Sequence, residues 1–362
     1  TRGRISVHAH LSPLRNTSSA ILEQMDRVIR NFDSLAKNEL RRDALCIAEA
    51  GYDAVNTGNA VRRKVRVEDD TLHIHDRAYV LAGRRVYFVG IGKCAFAGAE
   101  ALEEILGERL TNGIALDVSS APHSLKKIKA HTGTHPLPSE ANVEATTRIM
   151  ELLSGRSESD LVLMLISGGG STLLCLPGAP MTCLDEGILF RELTIKGAMI
   201  QEINAVRKHL SRARGGGLAK AAYPAEVVSL IISDVPGDDI ASIASGPTVM
   251  DASAVADAQA ILTKYGLVAG AHIQFLETPK DEKYFARVTN TLFITSPDAL
   301  SAMQSQAEAL GYVVTIADTH FAGEASAVGC AIAARLHDAP PKTAFLYAGE
   351  STIPLAKGAG AG

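Results

Sequence analysis

The sequence contains no C-x-x-C pair, no long apolar run and no cluster of basic residues. Its five cysteines are widely spaced and odd in number, which argues against structural zinc and a disulfide framework and indicates a reducing, cytoplasmic setting. No apolar stretch approaches the roughly 18 residues that a membrane span needs. The formal net charge of −4 offers no basic surface to nucleic acid. We therefore expect no membrane and no nucleic acid among the partners.

The composition is that of an ordinary globular chain. Of its 362 residues, 46% are hydrophobic and 21% are charged, enough for two domains with their own cores. Residues 1–32 differ from the rest, because they are rich in arginine and serine and carry no acid before Glu23. A transit peptide has this composition, but so does a loose extension, and we expect an N-terminal extension.

Strand and helix patterns alternate along most of the chain. A helix is predicted over 33–55, with Asp33 or Ser34 as its N-cap, and a charged connector with short strands follows it. The buried strands are predicted at 86–89, 114–118, 161–166 and 227–232, and the helices at 97–106, 141–153, 184–195, 203–213 and 252–265. This alternation predicts an α/β fold with a doubly wound, mostly parallel, Rossmann-like sheet.

A second, smaller α/β domain is predicted near the end of the chain. Periodicity is lost over 270–287, so we place the first domain at 33–280 and the second at 281–362. Its predicted elements are a strand at 291–295, a helix at 298–310, a strand at 313–316, a helix at 323–336 and a strand at 343–347. Because the last strand runs into a glycine-alanine tail, we expect this domain to be incomplete.

Three turns follow directly on buried strands and carry the candidate chemistry. Two are rich in glycine, Gly90-Ile91-Gly92-Lys93 and Ser167-Gly168-Gly169-Gly170-Ser171, and the third holds Asp234, Asp238 and Asp239. The carboxyl ends of parallel strands lie on one edge of a sheet, so these turns should meet in one crevice. Glycine amides suit a phosphate or carboxylate anion, and aspartates suit Mg²⁺.

The first glycine turn allows two interpretations. Gly90, Gly92 and Ala95 fit the G-x-G-x-x-A form of the dinucleotide fingerprint, and Asp117 lies where a ribose-binding acid is expected. Lys93 favours a phosphoryl-transfer enzyme instead, because its ammonium is a compact charge that can follow the transferring phosphoryl group. A Walker A motif is absent from this turn.

Two further segments contain candidate ligand contacts. Asn204 and Arg207 are three residues apart on a predicted helix, so they share a face and could hold a substrate hydroxyl and carboxylate. The alternative is a solvated helix face. His135 lies in the rigid loop 133–138, and we predict an ordinary loop histidine there rather than a catalytic base.

Together these segments resemble the MOFRL-containing family of glycerate kinases, which phosphorylate the 2-hydroxyl of glycerate. The similarity extends over about residues 33–350. The motifs that carry it are Arg41-Arg42-Asp43-Ala44-Leu45, Val89-Gly90-Ile91-Gly92-Lys93, His135-Pro136-Leu137-Pro138, Ser167-Gly168-Gly169-Gly170-Ser171, Ile203-Asn204-Ala205-Val206-Arg207-Lys208-His209-Leu210-Ser211, Ser233-Asp234-Val235-Pro236-Gly237-Asp238-Asp239 and Ser245-Gly246-Pro247-Thr248.

The resemblance implies an enzyme that uses ATP and Mg²⁺ to convert D-glycerate to 2-phosphoglycerate in the cleft between two domains. It implies catalytic roles for Lys93, Asp234 and Arg207, and metal binding by Asp234 and Asp238. The implied substrate-binding residues are Ser167, Gly168, Gly169, Asn204 and Arg207. The implied nucleotide-binding residues are Gly90, Gly92, Gly169, Gly170, Ser171, Asp239 and Glu350.

Two other functions remain as alternatives. An NAD(P)-dependent hydroxypyruvate reductase is supported by the fingerprint at Gly90 and by the label that some members of the family carry. A non-catalytic module that binds sugar phosphates would need the glycine turns but not the aspartates. A homodimer is left open as the assembly.

Overall fold

The computed structural model describes residues 27–233, 237–268, 270 and 272–353, so Asp234 lies outside the described residues. Its main sheet consists of six strands: β4 Val86–Ile91, β5 Leu110–Asp117, β6 Ile128–Thr132, β7 Leu161–Ile166, β8 Glu226–Ile232 and β9 Val288–Ile294. All neighbouring strands are parallel, in the order β6-β5-β4-β7-β8-β9. The sheet therefore has two halves, β6-β5-β4 and β7-β8-β9, which meet between β4 and β7. This is the doubly wound Rossmann arrangement. The predicted fold class is confirmed.

Helices cover both faces of this sheet. Their bounds are α1 Phe32–Leu35, α2 Glu39–Val55, α3 Thr57–Lys64, α4 Ala95–Leu106, α5 Glu140–Leu153, α6 Gly170–Leu173, α7 Cys183–Ile195, α8 Ile200–Lys208, α9 Gly217–Ala222 and α10 Val255–Lys264. Every residue of β4 and β7 is buried. Since alternate side chains of a strand point to opposite faces, these two strands contribute to an apolar cluster on each side of the sheet.

The N-terminal region departs from its prediction. The predicted helix over 33–55 is divided into α1 and α2, and the N-cap of α2 is Asn38, whose Oδ1 accepts a hydrogen bond from the Arg41 amide at 2.9 Å. Asp33 and Ser34 instead lie within α1. The predicted connector begins with α3, because Asn56 caps it and its apolar side chains are fully buried. An antiparallel meander follows, with strands β1 Val65–Glu68, β2 Thr71–Ile74 and β3 Arg77–Val80.

The last part of the chain forms a smaller α/β unit. It contains α11 Ser296–Ala309, β10 Val313–Phe321, α12 Ala325–His337 and β11 Thr343–Gly349, with β10 parallel to β11. Its helix α11 packs against α2 through a small apolar cluster that includes Ile47 and Leu300. No helix of the described residues is long and apolar enough to cross a membrane.

One predicted element of the smaller unit belongs elsewhere. The strand expected at 291–295 is β9, and it pairs with β8 at the edge of the main sheet. Its Phe293 and Ile294 are buried in the core of that sheet, which explains why it joins the larger body. The boundary placed at residue 280 stays a prediction, and this pairing favours a boundary after Ile294.

Candidate active site

The turns after β4 and β7 interlock where the strand order reverses. Gly92 has φ +118°, and a Cβ on it would lie 2.0 Å from Ser167 Oγ, so only glycine fits there. Ser167 is buried and its Oγ donates to the Ile91 carbonyl at 3.2 Å, while the Lys93 amide donates to the Gly168 carbonyl at 3.0 Å. Gly92 and Ser167 therefore hold the two strand ends together, and the binding roles implied for Ser167, Gly90 and Gly92 stay predictions.

The loop after β8 reaches the same place. A Cβ on Gly170 would lie 2.5 Å from Ala244 Cβ. Ala244 and Ser245 have φ of +51° and +59°, a left-handed conformation that non-glycine residues adopt at a cost of about 1–3 kcal/mol each. Ser245 Oγ lies 2.8 Å from Ser171 Oγ and 3.2 Å from Asn204 Oδ1. These contacts join the second glycine turn, α8 and the loop after β8.

A cavity of about 390 Å³ opens where these segments meet. Six of the predicted site residues line it: Gly168, Gly169, Ser171, Asn204, Arg207 and Glu350. Glu350 follows β11, so the smaller unit contributes to the wall. Of the three turns predicted to converge, the second glycine turn lines this cavity and the first contacts it through the Lys93 amide. The third turn lies partly outside the described residues, so its convergence with the other two stays a prediction.

Arg207 is the most unusual side chain of the cavity. It is 5% exposed, donates from Nη2 to Thr172 Oγ1 at 2.8 Å, and lies 4.5 Å from the ring centroid of Phe190. Burial, and then the nearby charge of Arg214, lower its pKa to about 10. Its buried Nε has no hydrogen-bond partner in the described chain, since Glu186 Oε1 is 3.6 Å away. The helix face that carries Asn204 and Arg207 is thus not a solvated one.

Arg207 and Arg214 share the carboxylate of Glu186. The Arg214 side chain is fully buried, and its Nη2 donates to Glu186 Oε1 at 2.7 Å. The other Glu186 oxygen accepts from the thiol of Cys175, whose pKa is raised by burial and by Glu186. Two buried guanidinium groups thus face one carboxylate. Because an unmatched buried charge is costly, this arrangement favours an anion at the exposed side of Arg207.

Lys93 and His135 both lie close to Gly169. A Cβ on Gly169 would be 3.1 Å from Lys93 Cγ and 3.5 Å from His135 Cδ2, and its φ is +86°. The pKa of His135 is lowered by partial burial and then by the positive charges of Lys93 and Arg207. Three basic side chains therefore converge on the second glycine turn, and the prediction of an ordinary loop position for His135 does not describe its surroundings.

The structure describes only part of the acidic loop, residues 233–239. Asp239 is exposed, and its two carboxylate oxygens accept hydrogen bonds from the Ala241 amide at 3.0 Å and from Ser242 Oγ at 2.5 Å. Asp238 is half-buried at φ +53°. Within the described residues, no three His, Cys, Asp or Glu side chains are close enough to share a metal ion. Metal binding by Asp234 and Asp238 and a catalytic role for Asp234 stay predictions.

Asp117 does not have the free carboxylate that a ribose-binding acid needs. It is 2% exposed, and its Oδ2 accepts from the Phe96 amide at 3.0 Å in the first turn of α4. Its Oδ1 accepts from the amides of Val118 and Ser119 at 2.7 and 3.1 Å. All of these bonds hold the main chain, so Asp117 is a structural residue.

Several residues around the cavity were not predicted from the sequence. Thr172, Phe190 and Ala244 line it, and Glu186 and Arg214 lie behind Arg207. Ala244 lies in the segment between two quoted motifs, but Phe190 and Glu186 come from α7, which carries no motif. The helix predicted over 203–213 is α8 Ile200–Lys208, which begins and ends earlier in the chain than predicted.

Comparisons with known proteins give a consistent family. Residues 43–277 match the model of a domain of unknown function, DUF4147. A bovine protein named glycerate kinase is 36% identical over 80% of this chain. The Thermotoga maritima D-glycerate 2-kinase is 35% identical over 77% of the chain and 68% of its own length, and an Agrobacterium vitis protein named putative hydroxypyruvate reductase is 37% identical over 75% of the chain and 64% of its own length.

The fold is also that of a solved relative. The crystal structure of the glycerate kinase from Thermotoga maritima superimposes with a TM-score of 0.77 and 30% identity, over 89% of this chain and 77% of that one. The chain spans 60% of the length of the bovine relative.

Proposed function

We propose that this chain, which belongs to the DUF4147 family and is similar to proteins named glycerate kinase, phosphorylates D-glycerate with ATP. The acceptor in this proposal is the 2-hydroxyl, and the product is 2-phosphoglycerate. The site lies in the crevice at the β4–β7 switch point, where doubly wound proteins bind their ligands. The proposed setting is the cytoplasm.

The observation that carries this proposal is the unmatched charge of Arg207. A small hydroxy acid offers a carboxylate that would pair with the Arg207 guanidinium where it lines the cavity and complete the charge balance with Glu186 and Arg214. Asn204 lines the same cavity three residues earlier on α8 and is placed to contact a hydroxyl. Arg207 and Asn204 together would orient the acceptor.

The phosphate side of the proposed site is formed by the second glycine turn. Lys93 and His135 both lie close to Gly169, so a phosphate placed over the turn would meet backbone amides and an ammonium group. Lys93 is exposed and forms no ion pair within the described part of the chain, which leaves its charge available to a ligand. In phosphoryl transfer such groups position the reactants and neutralise negative charge.

Magnesium would bind at the acidic loop. The loop that follows β8 provides carboxylates, and hard oxygen donors of this kind suit Mg²⁺. Asp238 with Asp234 would hold the ion, while Asp239 is engaged in the turn. When bound, the ion would neutralise charge on the nucleotide phosphates.

The position of Glu350 supports a site shared by both parts of the chain. It contributes to the cavity wall from the end of β11, and we place it on the nucleotide side. Closure of the smaller unit over the crevice would exclude water from the transferring phosphoryl group, which limits hydrolysis of ATP.

The reductase alternative has weaker physical support. A dinucleotide would need a free acid for its ribose, and the Asp117 carboxylate is fully engaged with backbone amides. The three basic side chains around Gly169 also suit phosphate better than a nicotinamide ring.

One assay separates these functions. The protein is incubated with ATP, Mg²⁺ and D-glycerate while ADP formation is followed, and phosphorus NMR identifies the product. We expect ADP release that depends on D-glycerate, with 2-phosphoglycerate as the product. A parallel reaction with hydroxypyruvate and NADH or NADPH should show no consumption of the cofactor. Reduction of hydroxypyruvate without ADP formation would reject the kinase, and no turnover in either reaction would favour a binding module.

A further inference from the structure

A second cavity lies outside the candidate active site and has a volume of about 640 Å³. The two cavities share no lining residue. The wall of the second is built from the end of α5, the segment from the end of α8 to α9, and the stretch 276–279. Its volume is within the range of roughly 300–1,000 Å³ that is typical of small-molecule sites.

Positive charge dominates this wall. Four cationic side chains line the cavity, Lys208, Arg212, Arg214 and Lys220, against a single carboxylate, that of Glu277. The chain as a whole has a net charge of −4, so this concentration is local. The Glu277 carboxylate is itself engaged, because its oxygens accept from the amides of Thr278 at 3.0 Å and Val255 at 3.2 Å.

The four cationic side chains differ in the partners that they already have within the protein. Lys208 Nζ lies 3.2 Å from Asp251 Oδ1, a carboxylate outside the lining. Arg212 and Lys220 are exposed, and neither forms an ion pair within residues 27–233, 237–268, 270 and 272–353. Their charges are therefore available to a ligand in the cavity.

Arg214 adds buried positive charge directly behind the cavity wall. Its side chain is fully buried, its Nη1 donates to the Arg207 carbonyl at 3.1 Å, and its Nη2 donates to Glu186. Its Nε, however, has no hydrogen-bond partner in the described chain. Because it shares Glu186 with Arg207, the pair carries more positive than negative charge.

We propose that this second cavity binds a small phosphorylated molecule. Arg212 and Lys220 would hold the phosphate at the rim, and the charge of Arg214 would attract it from below. Apolar atoms of Met150, Tyr223 and Leu276 also line the cavity and give room for an organic group. This site goes beyond the proposed kinase activity and does not depend on it.

The experiment measures binding of inorganic pyrophosphate by titration calorimetry, without turnover. The chain carries Lys93→Ala, which weakens anion binding at the candidate active site. In this background Arg212→Ala with Lys220→Ala is compared with Arg77→Ala with Lys129→Ala. The control pair removes the same two residue types from β3 and β6, where both side chains are exposed and form no ion pair within the described chain.

We expect the cavity pair to weaken pyrophosphate binding at least about tenfold, because two charge contacts are lost, and the control pair to leave it unchanged. Thermal unfolding checks that each variant is folded, and the single variants Arg212→Ala and Lys220→Ala should show intermediate losses. Equal affinity in the cavity pair and the control pair would overturn the proposal, and so would the absence of any pyrophosphate binding to the parent chain. Neither result bears on the kinase assay.

Discussion

At the scale of single residues, Lys93 is the side chain on which phosphoryl transfer should depend most. Lys93→Ala is expected to lower kcat at least about a hundredfold, because losing one charge contact to a transition state costs about 3 kcal/mol. The fold should survive, since Lys93 is exposed. Steady-state kinetics and thermal unfolding test both points, with Lys129→Ala as a matched loss of an exposed lysine. Turnover equal to that of the control would remove Lys93 from the catalytic site.

Arg207 should act on the acceptor rather than on the nucleotide. If its guanidinium binds the substrate carboxylate, Arg207→Ala raises the KM for D-glycerate by at least about tenfold and changes the KM for ATP much less. Initial rates with each substrate varied in turn separate the two effects. Arg191→Ala, at an exposed position of neighbouring α7, is the control. A parallel rise of both KM values would place Arg207 in a structural role.

His135 should make anion binding depend on pH. Its pKa is lowered from the usual 6.5 by partial burial and by Lys93 and Arg207, so in the free protein it is neutral at pH 7. Protonation as the pH falls below 6.5 adds positive charge beside the cavity, and a bound anion favours that proton, so affinity for D-glycerate should rise with acidity. Calorimetric titrations at pH 7.5 and 5.5 measure this. His135→Gln should flatten the dependence, and an unchanged dependence would exclude His135 as its source.

At the scale of elements, the site depends on the close approach of the turns after β4 and β7. Gly92→Ala places a Cβ 2.0 Å from Ser167 Oγ at φ +118°, whereas Gly83→Ala has a comparable backbone problem at φ +71° but meets nothing within 4 Å. We expect Gly83→Ala to cost about 1–2 kcal/mol and Gly92→Ala at least about 3 kcal/mol.

Urea unfolding of the two glycine variants gives both free energies. A Gly92→Ala protein that is as stable as Gly83→Ala would show that the two turns can separate at little cost. The interlocking that positions Lys93 over the second glycine turn would then be loose rather than rigid.

At the scale of the whole molecule, the smaller unit contacts both α2 and α3, the latter through an ion pair of 2.7 Å between Lys64 and Asp298. Tyr312 donates from its hydroxyl to Asp43 Oδ2 at 2.8 Å, which ties β10 and its neighbours to α2, and Asp43 raises the pKa of that tyrosine. Glu350 lines the candidate active-site cavity. The smaller unit therefore packs on α2 at one end and borders this cavity at the other, as a closing domain would.

This arrangement predicts compaction with ligand. A nucleotide and D-glycerate bound together should reduce the radius of gyration in small-angle scattering, and either ligand alone should reduce it less, because each alone fills only part of the crevice. Glu350→Ala, measured beside the parent protein, should weaken the effect. An unchanged radius with both ligands bound, in protein that turns over normally, would leave a preformed site without closure.

The sequence by itself determined the parallel sheet and the position of its functional edge. Buried strands such as 161–166 are continuous apolar runs, and a run of that length between helical patterns has one stable place, the interior of an α/β sheet. The glycine turns could be located from the sequence as well, because each one directly follows such an apolar run. A turn that directly follows a buried parallel strand lies at the carboxyl edge of the sheet.

Other elements are too short to be recognised from a local pattern. Strand β6 has five residues, two of them polar or charged and exposed, and α3 has only eight residues and ends in Arg62-Arg63-Lys64. The strand β9 was predicted in nearly the right place but assigned to the wrong body. Its partner β8 is more than fifty residues earlier, and a pairing at such a distance leaves no mark on the local pattern.

Only the tertiary structure decided which polar groups are free. The sequence marks both Asp117 and Arg207 as candidate ligand contacts. Three backbone amides satisfy the aspartate, however, while the arginine is buried with an unpartnered Nε. Spacing along a chain sets which residue types can share a face. The charge balance around each depends on residues from distant elements, here Glu186 and Arg214, because electrostatic energy depends on distance in space and on exclusion of water.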